Sequence, residues 1–176
     1  MNPFLSILIL TLGITTNSLE DSYPVPPKTN KMLFYIQRNH NKNTIVYDAN
    51  FDNYGQLTDE NPIDVYWIRY EEDGRRMELR KIEQLFAYGV NCLKSDSIMG
   101  AYQVHLVADP SHTFLLMQTE PFKAIITTTI DHTPAQLKHI YIHADNSGWW
   151  PKVEYIELFG NQTDTRKPVY EKISNQ

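Results

Sequence analysis

From residue 31 onward, apolar and polar side chains alternate with a period of two in one short run after another, the pattern of strands that bury one face. Residues 32–38 and 43–51 are rich in aromatic and β-branched side chains, and Asn39-His-Asn-Lys42 between them is turn material, so the pair predicts a hairpin. In its second arm Ile45, Tyr47, Ala49 and Phe51 share the expected core face, while Thr44, Val46, Asp48 and Asn50 share the other. Further strands are predicted over 63–70, 101–108, 113–118, 122–130, 137–144 and 153–159. Short clusters such as Glu72-Asp-Gly74, Asp109-Pro-Ser111, Thr119-Glu-Pro121, Asp131-His-Thr-Pro134 and Asp145-Asn-Ser-Gly148 separate them, which suits antiparallel neighbours, because a parallel pair needs a long crossover. One stretch departs from this period. Leu79, Ile82, Leu85 and Phe86 recur at helical spacing and predict a helix over 79–88, apolar face inward, with Gly89 as a left-handed cap. The expected fold is mainly β: an antiparallel sandwich or partly open barrel of about eight strands with one α-helix.

The amino terminus reads differently. An uncharged apolar run from Phe4 to Ile14 has eleven residues. That is about 16 Å as a helix, short of the roughly 30 Å that a bilayer span requires. Thr16 and Ser18 suit a cleavage pocket, so residues 1–18 are expected to be a signal peptide cut after Ser18, although no Lys or Arg precedes the run. Tyr23-Pro-Val-Pro-Pro27 makes 19–30 a stiff, extended linker. Residues 31–176 are then a single β-rich domain, secreted or periplasmic, with no membrane span after cleavage.

Composition narrows the partners. The chain has 16 basic and 21 acidic residues, a formal charge of -5, and no dense Lys/Arg cluster, so it offers a nucleic-acid backbone little. Its single cysteine, Cys92, permits no internal disulfide and reads as a small apolar residue. No G-x-S-x-G, H-E-x-x-H, Walker or dinucleotide fingerprint occurs. Asn161-Gln-Thr163 is a glycan acceptor only in a eukaryotic secretory route.

The run Met32-Leu-Phe-Tyr-Ile-Gln-Arg-Asn-His-Asn-Lys-Asn-Thr-Ile-Val-Tyr-Asp-Ala-Asn50 resembles the opening of an uncharacterised exported bacterial family, domain of unknown function 4833. Pro62-Ile-Asp-Val-Tyr-Trp-Ile-Arg-Tyr70, Ala87-Tyr-Gly89 and Val153-Glu-Tyr-Ile-Glu-Leu-Phe-Gly160 agree with it. The resemblance implies an exported chain with one such domain. It carries over no activity, cofactor or catalytic residue.

Several constellations remain. His139 and His143 stand four apart, but in a strand their Cα atoms are about 13 Å apart, too far to share one ion without a further ligand such as His105. The simpler reading is a polar face with Tyr141 between the rings, and no metal is expected. Asp48-Ala-Asn-Phe-Asp52 imitates half a calcium loop, with Asp59 at the twelfth position, yet Asn53 stands where Gly is needed. A strand end and turn reads better. Arg38, Tyr47, Trp67, Arg69, Tyr70 and Tyr88 bring aromatic rings and guanidinium groups from several elements, and the two arginines must be exposed, paired with Asp48, Asp64 or Glu71, or turned to a pocket that takes an anion. Trp149-Trp150 is a second aromatic candidate, in a loop.

The sequence thus predicts an exported, non-catalytic binding domain for a small ligand, glycan or envelope partner protein. Arg38, Tyr47, Asp48, Trp67, Arg69 and Tyr88 form the candidate site, with no cofactor. One alternative is an extracytoplasmic enzyme with a pocket around Arg38, Asp48, Arg69 and His105. Another is a structural component of the cell envelope, its aromatic rings packed in an assembly.

Overall fold

The computed structural model describes residues 23–148 and 152–174, so the expected leader and Trp149-Trp150 lie outside the described residues. β1 (Met32–Arg38) and β2 (Asn41–Ala49) form the expected hairpin, turning at Asn39-His40 with His40 at φ 62°. β3 (Ile63–Ile68) pairs with β2, and β4 (Arg76–Glu78) with β3. A single α-turn, α1 (Lys81–Glu83), runs into a π-helical turn (Gln84–Tyr88). Six strands follow, β5 (Val90–Lys94), β6 (Ala101–Leu106), β7 (Asp109–Glu120), β8 (Lys123–Ile130), β9 (Thr133–Asp145) and β10 (Lys152–Gln162), and from β6 onward each is antiparallel to the one before. β11 (Pro168–Ser174) closes the chain against β10.

All these strands belong to one sheet, ordered β4-β3-β2-β1-β9-β8-β7-β6-β5, with β10 and β11 added on the other edge of β9. Of the two expected forms the sheet takes the partly open one, as a curled half-barrel, whereas the antiparallel sandwich of about eight strands is corrected to a mixed sheet with more strands, because β1 and β9 run parallel with Tyr35 opposite His139 and Arg38 opposite Ile142. Short turns constrain only consecutive strands. The β1–β9 pair is joined through the whole chain between them, which supplies the crossover a parallel pair needs.

β9 is the spine. Residues 133–136 pair with β8 and residues 139–142 with β1, while β10 runs along the opposite edge. The register against β10 slips where Phe159 faces His139 but Gly160 faces Leu137, a bulge that reverses which side chains point inward. Ala135, Leu137 and Ile140 are buried, Ile142 packs on the same core, and His139, Tyr141 and His143 face outward. Gly160 is required by proximity, since a Cβ there would stand 2.7 Å from the Gln136 carbonyl oxygen.

The core joins the two wings of the curl. Phe34 of β1 stacks on Tyr47 of β2 at 4.2 Å and reaches Phe114 of β7 at 6.2 Å between ring centres. Ile45, Leu116, Ile126, Ile130 and Leu137 are wholly buried beside them. Ile45, Tyr47 and Ala49 thus hold the expected core face, but Thr44, Val46 and Asp48 on the opposite face are buried too. The proline-rich segment lies there: Pro26 is buried, the Pro24 carbonyl accepts from Gln37 Nε2 at 2.8 Å, and Gln37 Nε2 also meets Thr44 Oγ1.

The helix departs most from expectation. Leu79 is buried, but Ile82, Leu85 and Phe86 are 62 %, 64 % and 75 % exposed. Residues 81–88 connect β4 to β5, the two edges of the curled path, instead of lying on the sheet. Gly89 has φ -66°, so it is no left-handed cap; it is needed because a Cβ would fall 1.9 Å from the Gln84 carbonyl oxygen.

Candidate functional site

Arg38 is the last residue of β1 and continues the inward face of Phe34 and Ile36. Such a position ordinarily holds an apolar side chain. Here the guanidinium carbon lies 5.4 Å from the Trp67 ring centre and 5.7 Å from that of Tyr88, with the two rings edge to face at 5.3 Å. Aromatic faces attract a cation without neutralising it. Arg38 Nη1 donates to the Tyr88 hydroxyl at 2.6 Å, whereas Nε is buried and has no hydrogen-bond partner. Among the described residues no carboxylate forms an ion pair with Arg38.

The surroundings hold this group in place. Tyr47 donates from its hydroxyl to the Tyr88 carbonyl at 2.9 Å, and Glu83 accepts from both the Trp67 indole at 3.4 Å and the Arg80 backbone N–H at 2.8 Å. The π-helical turn is thereby fastened to β2 and β3, and it carries Ala87 and Tyr88 to the cleft. Burial raises the Tyr88 phenol above its ordinary pKa, against the pull of the Arg38 charge, so it stays a neutral hydroxyl. Asn39 pins the end of β1 to β9 by imitating a strand partner: its Nδ2 donates to the Ala144 carbonyl at 2.8 Å and its Oδ1 accepts from the Ala144 N–H at 2.9 Å.

A cleft of about 550 Å³ opens here, lined by Arg38, Asn39, His40, Phe86, Tyr88 and Asn146 among others. It shares Ala87, Tyr88, Ala108, Ile142 and Val153 with a deeper slot of about 380 Å³. The slot runs between the start of β7 and the inner face of β9, β10 and β11, and Ile36, Phe114, Ile140, Ile156, Leu158 and Ile173 wall it. Ile142, Ile156 and Ile173 border the core but are only partly buried. Both volumes fall in the range of about 300–1,000 Å³ usual for small-molecule sites, and a polar mouth over an apolar floor is their common form.

The remaining candidates lie elsewhere. Asp48 is on the opposite face of β2 from Tyr47; it accepts from the Tyr66 hydroxyl at 3.1 Å, and burial raises its pKa. Arg69 pairs with Glu72 at 2.5 Å in the turn after β3. His105, with Nδ1 buried and unpartnered, borders a shallow hollow beside Cys92. The four residues of the enzyme alternative, Arg38, Asp48, Arg69 and His105, thus sit on different parts of the sheet. The Cys92 thiol is pushed up to about 11 by burial, which keeps it protonated and unreactive at neutral pH.

Neither metal-like spacing forms a cage. Asp52 Oδ1 accepts from the backbone N–H groups of Tyr54 and Gln56, both at 2.8 Å, and Asp59 takes the Tyr102 hydroxyl at 3.0 Å. His139 is stacked between Tyr35 at 4.5 Å and Phe159 at 5.1 Å, and His143 lies on Tyr155 at 4.6 Å. Sequence reasoning missed the Asn39 clamp and the apolar slot. The signal for the slot was present in the isoleucines of 140–142, 156 and 173, but the bulge in β9 concealed their common direction.

A family model matches residues 34–172, the greater part of the chain. The chain belongs to the family described as Domain of unknown function (DUF4833). No curated protein and no solved structure matches it. The matched span of the DUF4833 domain begins at Phe34 and ends at Lys172, so it takes in the Arg38 cluster, the mouth and most of β11.

Proposed function

We propose that this DUF4833 domain is an exported binding domain, without catalysis of its own, that holds a small ligand by an anionic group at the mouth of the half-barrel. The observation that carries the reading is Arg38. A cation on an inward strand position, with a buried Nε lacking any partner, is costly unless an anion completes it. Nη1 is engaged by Tyr88, so Nη2 is the donor left to meet a carboxylate or phosphate oxygen first, and the enclosed Nε would complete a bidentate pair as the anion seats beside it. Neutral Tyr88 and Trp67 hold the guanidinium in place without competing for its charge. Export rests on the apolar run of 4–14 and the small residues at Thr16 and Ser18.

Calorimetric titration of the isolated protein with benzoate and with inorganic phosphate tests the site. Binding of at least one, weakened tenfold or more in Arg38→Gln, is expected; equal binding by both proteins sinks the reading. Amino-terminal sequencing of material recovered outside the cytoplasm should begin at Leu19, and finding Met1 there refutes the leader.

A further inference from the structure

The slot below Arg38 is a continuous apolar extension of the mouth, and its walls differ from an ordinary core. Ile142, Ile156 and Ile173 point inward yet retain exposed surface, although a sheet that curls this far could have closed over them. Ile156 and Ile173 stand opposite each other on β10 and β11, so the wall is built by a matched cross-strand pair and not by a stray side chain. Arg38 and Ile36 lie two residues apart on the same face of β1, which sets the cationic head of the cleft and its apolar floor about 7 Å apart along one strand. Phe86, 75 % exposed on the π-helical turn, borders the mouth beside Tyr88. π-turns inserted at such positions commonly serve binding sites.

We infer that the ligand is an amphiphile: a monocarboxylate whose head pairs with the free donors of Arg38 and whose unbranched apolar tail fills the slot between β7 and the β9–β10–β11 face. The inference rests on the anion reading above and adds the tail. Charge complementarity fixes the head at Arg38, and the apolar walls Ile36, Phe114, Ile140, Ile156, Leu158 and Ile173 fix the character of the tail. His112 and Asp109, at the start of β7, supply the ionisable border of the slot.

The test is calorimetric titration of the isolated protein with acetate, butanoate, hexanoate and octanoate, with octanol as the headless control. Affinity is expected to rise with chain length, by up to about fourfold for each methylene that is fully buried. Octanol should bind at least tenfold more weakly than octanoate, and Arg38→Gln should reduce octanoate to the level of octanol. Ile156→Ser or Ile173→Ser, whichever retains the wild-type unfolding transition, should flatten the dependence on chain length while leaving acetate unchanged. Binding that is lost in Arg38→Gln but independent of chain length overturns the amphiphile and leaves the anion site standing. No binding of any carboxylate, or octanol equal to octanoate in both proteins, overturns both.

Discussion

The two ends of the half-barrel are built from the same curled sheet but finish their polar groups differently. At one end the 50–62 loop folds over the opening: Leu57 is buried, its N–H donates to Gln118 Oε1 at 2.9 Å, and Gln118 Nε2 returns to the Gly55 carbonyl at 2.8 Å. Phe122 N–H also donates to Gly55, and Asp59 takes both the Tyr102 hydroxyl and Lys94 at 3.0 Å. At the other end the cleft stays open, and Arg38 Nε is buried without a partner. The contrast separates structure from function. Where donors and acceptors are matched, the chain is closing a core; on the proposed reading, the buried Arg38 donor left over beside open apolar walls takes its partner from a ligand.

Substitutions should therefore cost stability at the closed end and binding at the open one. The largest effect is expected for Gly55→Val. Gly55 has φ +80°, and an added Cβ would meet the Phe122 ring at 2.8 Å. Strain plus overpacking should lower stability by about 3 kcal/mol, read from urea unfolding. An unchanged midpoint would show that the loop does not seal this end.

Next comes a pH effect that belongs to neither end. His139 lies stacked on the outer face, where burial lowers its pKa from 6.5 to about 4. As pH falls, the unfolded chain takes up this proton first, so the stability is complete above pH 6.5 and is lost as pH falls from 6.5 through 4. The loss should approach about 3 kcal/mol. Asp48, raised by burial, acts in the opposite sense, so the diagnostic is the difference between wild type and His139→Phe in unfolding at pH 7 and near pH 4. Parallel pH profiles would contradict it.

Gln118→Ala follows, leaving the Leu57 N–H and Gly55 carbonyl without their side-chain partner at a cost of about 2 kcal/mol by denaturant unfolding. Its effect on ligand affinity should be negligible, because it acts at the closed end. Smaller still is Tyr88→Phe, which removes the acceptor for Arg38 Nη1 but keeps the ring and the backbone bond from Tyr47, and should cost about 1 kcal/mol. If its cost exceeded that of Gln118→Ala, the open end would be as structural as the closed one.

Local alternation made most strands legible. β1 was expected over 32–38 and runs Met32–Arg38, because Phe34, Ile36 and Arg38 alternate cleanly with Tyr35 and Gln37. β4 and β5 were missed because edge segments of three and five residues carry too little apolar surface to show a period. β11 alternates Val169, Glu171 and Ile173 with Tyr170 and Lys172, a signal present in the sequence but diluted by charge on both faces. The β1–β9 pairing had no local signature at all, since parallel partners this far apart are chosen by the closing of the core. The helix misled for a related reason: its apolar spacing is real, but residues 81–88 bridge two sheet edges and present Ile82, Leu85 and Phe86 outward. Within the candidate site, Arg38, Tyr47, Trp67 and Tyr88 could be named from residue type, whereas their separation from Asp48 follows from strand parity and that from Arg69 from the turn after β3.

Thermal unfolding of wild type and Arg38→Leu, each with and without octanoate, decides whether the open end of the half-barrel takes an anion. Without ligand the variant should unfold within about 1 kcal/mol of wild type or be more stable, because removing a half-buried charge that has no carboxylate partner relieves a desolvation cost. Octanoate should then raise the transition of wild type alone. An Arg38→Leu protein that melts far below wild type, with octanoate moving neither, would show that Arg38 is part of the structural seal and that the open end awaits no anion.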